Sequence, residues 1–349
     1  MIYSLQSIRF ILALLIFHHH FFLNPQIQQF GCYPVAFFFI LSGFLMSVGY
    51  EEKVSNDSFS YRKFIFKRFI HIYPLNFLGL AFWLFYPVII DIHVGEFNSI
   101  MNNTLILDLL LLQSWWPESS VYFSGNGACW FLSDIIFCYI LFPFLIKFIK
   151  YHNHLICFTS IFVGYFFIVY LIPNEYVHGL IYINPLSRIF DFIVGIQLYF
   201  IYKSLLYNKF IMAISYKERS ILELCTVIIS LAFMLISAYV SLRYFYVSIF
   251  WIPSVVTILI YSLNSENGGI LSKILNKEYL CYLGKISFPF YVFHLPSITW
   301  CSILVSVIGI NLPAIIKAII CIIITILISI IYIKYIEPLF TKKLRKLYE

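Results

Sequence analysis

The chain has 349 residues, of which 62% are hydrophobic and only 11% charged. Soluble domains carry roughly a quarter charged residues, so this composition excludes a soluble enzyme, a disordered protein and a fibrous repeat. It leaves a polytopic membrane protein, and the absence of alternating ten-residue segments favours an all-α helix bundle over a β-barrel. The net charge of +7 falls in short loops, which suits an anionic membrane leaflet and membrane lipid as a partner, not nucleic acid.

Apolar runs long enough to cross a bilayer predict about ten transmembrane helices, at 8–23, 34–50, 69–90, 129–149, 155–172, 186–202, 221–240, 245–263, 286–308 and 314–336. The stretch 104–112 is too short to cross and reads as re-entrant or interfacial. The basic residues order these spans. With the N-terminus inside, 18 of the 23 Lys and Arg fall in the inner segments 51–68, 147–154, 203–220 and 264–285 and in the tail. The outer segments carry only Arg243. Both termini are therefore expected in the cytoplasm. One membrane domain, 1–349, is expected, with no soluble domain, no internal repeat and no cleavable signal peptide. The eight cysteines sit mostly in apolar runs without a C-x-x-C pair, so they read as small hydrophobes and not as metal ligands; Cys32 and Cys129 both fall where a bridge is conceivable.

Ionisable groups inside spans are costly and each is a functional candidate. The first span holds Arg9 and the run His18-His19-His20. At 100° per residue, His20 lies about 20° from Arg9, His19 about 80° off, and His18 on the opposite side. One stripe thus carries a permanent cation near one end and a titratable base about 16 Å away. The alternative is a snorkelling Arg with interfacial histidines. Residues 61–74 interleave Arg62, Lys63, Lys67, Arg68 and His71 with aromatics. That pattern suits ligand phosphates or, equally, a topology anchor on anionic lipid. Trp130 and Asp134 begin a span after a polar loop; Asp134 suits either the orienting of a histidine or a plain helix N-terminal charge. Ser287, Tyr291 and His294 recur at i, i+4, i+7 on one helix face, where they line a cavity or join helices. Arg188 and Asp191 read as a compensated i, i+3 pair.

Taken in order, these segments resemble the acyltransferase-3 family of membrane O-acyltransferases. Arg9 and His20 match its Arg-x10-His. Residues 37–45 (FFFILSGFL), with Ser42, resemble its F-F-x-L-S-G-F-L, and 67–74 (KRFIHIYP) its R-x-x-R-I-Y-P. Trp130 through Tyr139 to Pro143 keeps its W…Y…P spacing. Residues 188–195 (RIFDFIVG) are similar to R-x-x-x-F-x-x-G. Residues 284–296 (GKISFPFYVFHLP) resemble G-x-I-S-x-x-x-Y-x-x-H-x-P, and Glu337-Pro338 the closing E-P. Two positions depart: His71 replaces the second Arg of R-x-x-R, and Ile135 stands where many members carry an acid, with Asp134 one step and 100° away.

The resemblance implies transfer of an acyl group, most often acetyl, from acyl-CoA to a hydroxyl of a cell-surface or lipid-linked carbohydrate, at a bacterial inner membrane. With that reading His20 is expected as general base, and carboxylate–histidine chemistry, not the family pattern, makes Asp134 its candidate catalytic partner. Arg9, Arg62, Lys67, Arg68 and His71 would hold the donor, and Ser42, Trp130, Arg188, Ser287, Tyr291 and His294 would line the substrate pocket. Ser42, Tyr291 or a backbone N–H would face the developing oxyanion. No metal is called for. The alternatives are a transporter or flippase of a lipid-linked sugar, which should show interrupted helices in matching halves, and a polysaccharide polymerase, which should show large outer loops.

Overall fold

The computed structural model describes residues 2–22, 31–56, 59–94, 103–152, 154–206, 213–239, 248–265 and 267–345. Lys209, Arg243, Lys346 and the outer segments 24–30 and 95–102 lie outside the described residues. Among the described residues all regular structure is helical. In chain order the α-helices are α1 Tyr3–Phe22, α2 Cys32–Ser55, α3 Tyr61–Val94, α4 Asn103–Leu110, α5 Ser119–Tyr122, α6 Trp130–Tyr151, α7 His154–Leu171, α8 Pro185–Leu206, α9 Tyr216–Tyr239, α10 Trp251–Leu263, α11 Ile270–Leu275, α12 Glu278–Ile308, α13 Ala314–Ile331 and α14 Glu337–Arg345.

Among the described residues eight helical stretches are long and apolar enough to cross a membrane, and two shorter apolar helices, Thr159–Leu171 and Ser248–Leu263, fall on the remaining expected segments. The helix α4 has eight residues, a rise of about 12 Å, too short for the roughly 30 Å hydrocarbon core. Helices extend beyond the apolar runs that mark them. Residues 61–68 and 278–285, expected as inner loop, are the first turns of α3 and α12. Lys and Arg are good helix formers, so the backbone stays helical after hydropathy ends.

Two close crossings fix the site's frame. A Cβ on Gly43 of α2 would sit 2.0 Å from the Phe192 carbonyl oxygen of α8, and one on Gly195 would sit 1.9 Å from the Ile40 carbonyl oxygen. The two glycines let α2 and α8 touch backbone to backbone, the small-residue contact that drives helix association in lipid. Likewise a Cβ on Gly284 of α12 would sit 2.1 Å from the Gln6 carbonyl oxygen of α1. This contact, with Phe290 packed on Phe10 and Phe17 at ring distances of 5.4 and 6.2 Å, lays α12 along α1. Glu51, 3% exposed, ties α2 to α6 through Lys150 at 2.6 Å and to α8 through Lys203 at 2.9 Å. All eight cysteines are free and seven are buried, Cys32 and Cys129 among them.

Candidate functional site

Helix α1 carries the site along its length. His18 is exposed, whereas His20 turns inward, as the rotation arithmetic requires. Arg9 and His20 open onto two different cavities.

The first, a basic cavity of about 260 Å³, is bordered by Arg9, Arg68 and His71, with Ser42, Ser287 and Tyr291 among its other walls. Arg68 lies over the Tyr50 ring at 5.2 Å and donates to the Tyr50 hydroxyl at 2.8 Å. Its Nε is buried without a hydrogen-bond partner. Among the described residues neither Arg9 nor Arg68 forms an ion pair with a carboxylate. Two guanidiniums and an orphaned donor around one small space leave room for an acceptor-rich ligand, because a buried donor left unmatched is expensive. His71, in the position of the second motif arginine, pairs with Glu337 at 3.2 Å and stacks on Phe288. Arg62 and Lys67 are exposed and do not border the cavity.

The second, a histidine cavity of about 250 Å³, is bordered by His19, His20 and His178, with Trp130, Tyr182 and Phe123 as aromatic walls. No Asp, Glu, Lys or Arg among the described residues borders it. His178 begins a π-helical turn, His178–Ile183, a rare local form that recurs at functional sites. Its Nδ1 meets the Tyr122 hydroxyl at 2.9 Å, and burial pushes its pKa down to about 4, so the ring is neutral at ordinary pH. Tyr291 borders both cavities. Its hydroxyl donates to the Ala128 carbonyl at 2.8 Å, and its ring packs on Phe131 at 5.5 Å.

The helix face Ser287, Tyr291, His294 is brought to α1. Ser287 reaches the basic cavity, Tyr291 both cavities, and His294 the His20 ring, with its Nε2 3.0 Å from His20 Nδ1. Asp134 is not in contact with His20. It is fully buried beside Ser114, within the field of Arg188, and borders neither cavity. Arg188 borders neither as well. It is fully buried, pairs with Asp191 at 2.9 Å and lies under the Phe39 and Tyr182 rings at 4.6 and 5.5 Å, while the Trp251 indole donates to Asp191. Among the described residues no cluster of metal-ligating side chains is present. Three wall residues, His178, Tyr182 and Phe123, escape the sequence reading. They come from loop segments without a motif, where a lone ionisable His178 was the one available signal.

The family model described as Acyltransferase domain matches residues 2–334. The chain belongs to the acyltransferase-3 family. It is an integral membrane protein. It is 23% identical over 353 residues to the Peptidoglycan O-acetyltransferase OatA of Listeria monocytogenes, covering 96% of this chain and 55% of that protein. It is 30% identical over 161 residues to the Acyltransferase MdmB of Streptomyces mycarofaciens, covering 42% of this chain and 40% of that protein. The chain thus spans about half the length of these relatives or less. No solved structure matches.

Proposed function

We propose that the protein is a membrane O-acyltransferase that moves an acyl group, acetyl in the main, from acyl-CoA to a hydroxyl of a carbohydrate. The observation that carries this reading is the placing of a cationic cavity and a histidine cavity at the two ends of one helix face, with Tyr291 bordering both. The similarity of the chain to a peptidoglycan O-acetyltransferase supports an acceptor of the cell-envelope glycan class.

The basic cavity suits the donor. At about 260 Å³ it lies below the usual size of a whole-ligand pocket, so it takes the acyl-pantetheine end only. Arg9 and Arg68 offer donors to the carbonyls of that arm. The nucleotide phosphates stay outside, where Arg62, Lys63 and Lys67 are exposed. The histidine cavity suits the acceptor. Aromatic walls and neutral polar groups accommodate the C–H faces and hydroxyls of an uncharged sugar ring, whereas a buried anion there would lack a counter-charge. His20 takes the hydroxyl proton as the oxygen attacks the acyl carbon. The C–O ester bond forms, the C–S bond breaks, and the thiolate leaves and recovers the proton. Ser42, engaged with the Tyr139 hydroxyl, and Tyr291, engaged with Ala128, are the side-chain hydroxyls of this cavity offered to a developing oxyanion. The orientation that fits is ten spans with both termini cytoplasmic, as the basic segments favour, so that CoA meets the Arg9 end. This places one membrane domain in a bacterial inner membrane.

The test is purified protein with acetyl-CoA, with and without a glycan acceptor. Release of CoA thiol that depends on both glycan and His20 supports the reading. Glycan movement across the membrane without thiol release would make the protein a transporter.

A further inference from the structure

The position of two protons follows from acceptors that cannot donate. His294 Nδ1 lies against the Tyr291 carbonyl, and His20 Nδ1 lies 3.0 Å from the Ile16 carbonyl. A carbonyl only accepts, so both rings carry their N–H on Nδ1. A neutral imidazole has one N–H. His294 Nε2 is therefore a lone pair, and it faces the His20 Nδ1–H at 3.0 Å. That single N–H is shared between the Ile16 oxygen and the His294 nitrogen. The nitrogen left on His20 is an unprotonated Nε2, on a ring that borders the histidine cavity.

We propose that His294 is the positioning residue of the base, a second imidazole that receives the His20 Nδ1–H and shares the charge once His20 has taken the acceptor's proton. This rests on the reading of His20 as general base. When Nε2 takes the hydroxyl proton, His20 becomes an imidazolium and its Nδ1–H bond to His294 becomes charge-assisted, about twice the strength of the neutral bond. The proton on Nε2 returns to the departing thiolate, and no bond of the His294 ring breaks. The arrangement does what a carboxylate does behind a catalytic histidine, with a neutral group in place of an anion. A neutral partner holds the imidazolium less tightly, but its own burial costs far less than that of a carboxylate.

Packing gives no reason for an imidazole at this position. Gly284 on Gln6 and the Phe290 contacts already hold α12 to α1. His294 is 1% exposed, and an aliphatic side chain would fill that space without a polar group to satisfy.

Nitrogen-15 NMR of the full chain, histidine-labelled and in lipid bilayers, reads the arrangement directly, with His20→Gln and His294→Gln assigning the two rings. The expected spectrum has both rings protonated on Nδ1 and a scalar coupling across the N–H···N bond between them. A His20 proton on Nε2, or the absence of that coupling, overturns the proposal. The activity arm uses native membranes as the source of acceptor. His294→Leu should lower acyl transfer about 10- to 100-fold, the usual cost of losing a histidine's outer partner, with the dependence on acetyl-CoA concentration unchanged. His294→Gln, whose amide oxygen still accepts, should recover part of that loss. Wild-type transfer by His294→Leu, or equal loss in both variants, overturns the proposal. If the coupling is present but His20→Ala still transfers acyl groups at the wild-type rate, the pairing stands and the base assignment falls.

Discussion

The two cavities are nearly equal in volume, about 260 and 250 Å³, and share a wall residue, yet they differ in what they can hold. The one at the Arg9 end sets two guanidiniums, one with a buried nitrogen that lacks a partner, among aromatic and aliphatic walls. The one at the His20 end is bordered by imidazoles and aromatic rings, with no Asp, Glu, Lys or Arg among the described residues that border it. In a low-dielectric bundle such a contrast sorts ligands more sharply than shape does, because an uncompensated charge costs several kcal/mol in either place. Carbonyl-rich, acceptor-bearing groups suit one end and uncharged hydroxyl groups the other. On the proposed function, the reaction occurs across Tyr291, which borders both spaces.

The largest effect should break the histidine end alone. His20→Ala should cost about 10²–10⁴ in transfer rate, the usual worth of a general base. His18→Ala should stay near wild type because that side chain is exposed, with His19→Ala between the two. If His18→Ala is as damaging as His20→Ala, the one-face geometry of α1 does not govern function. Next, Arg68→Ala should raise the acetyl-CoA concentration needed for half-maximal rate about 10- to 100-fold, since a charge-assisted bond contributes about 1.5–3 kcal/mol. Arg62→Ala, exposed and off the cavity, should shift it far less. Equal shifts would move the donor site out of the cavity to the surface segment.

The smallest effect concerns stability near the histidine cavity. Burial pushes the Asp108 carboxyl up to about 7, with the Ser124 hydroxyl pulling the other way at 3.0 Å. A raised folded pKa means that its stabilising contribution is full below the unfolded value near 3.8 and is lost as pH rises through about 7. Asp108→Asn should therefore melt higher than wild type at pH 8, and the gap should narrow steadily as pH falls to 5, closing only below about 3.8. His178 acts with the opposite sign: its depressed pKa costs stability as pH falls from about 6.5 toward 4. Thermal melts of Asp108→Asn and His178→Gln over pH 5–8 separate the two contributions. A pH-independent gap for Asp108→Asn contradicts the assignment.

Hydropathy marks the apolar helices of the described residues, eight long enough to cross a membrane and two shorter, because it is a sum over many residues. It misplaces the starts of α3 and α12, where helical hydrogen bonding continues through the basic segment 61–68 and through the mixed polar and apolar residues 278–285. The stripe from Arg9 to His20 was legible because it lies on one helix, where rotation alone sets direction. The partner of His20 was not. Sequence proximity to a motif pointed to Asp134, but the contact comes from His294, 274 residues away, and depends on how closely Gly284 lets α12 approach α1. The glycines of the second and fifth motif segments, Gly43 and Gly195, likewise show their purpose only as a pair, each giving up the space of a side chain to the backbone of the other helix. His178 and Tyr182 were invisible for the same reason: a loop's residues acquire a common cavity only through tertiary placement.

Acetyl-CoA binding to two purified variants, His20→Ala and Arg68→Ala, measured side by side by calorimetry without acceptor, tests the division of labour most directly. The account predicts that His20→Ala binds acetyl-CoA as wild type does while transferring nothing, and that Arg68→Ala binds it at least about tenfold more weakly. Loss of binding in His20→Ala, or undiminished binding in Arg68→Ala, would contradict it.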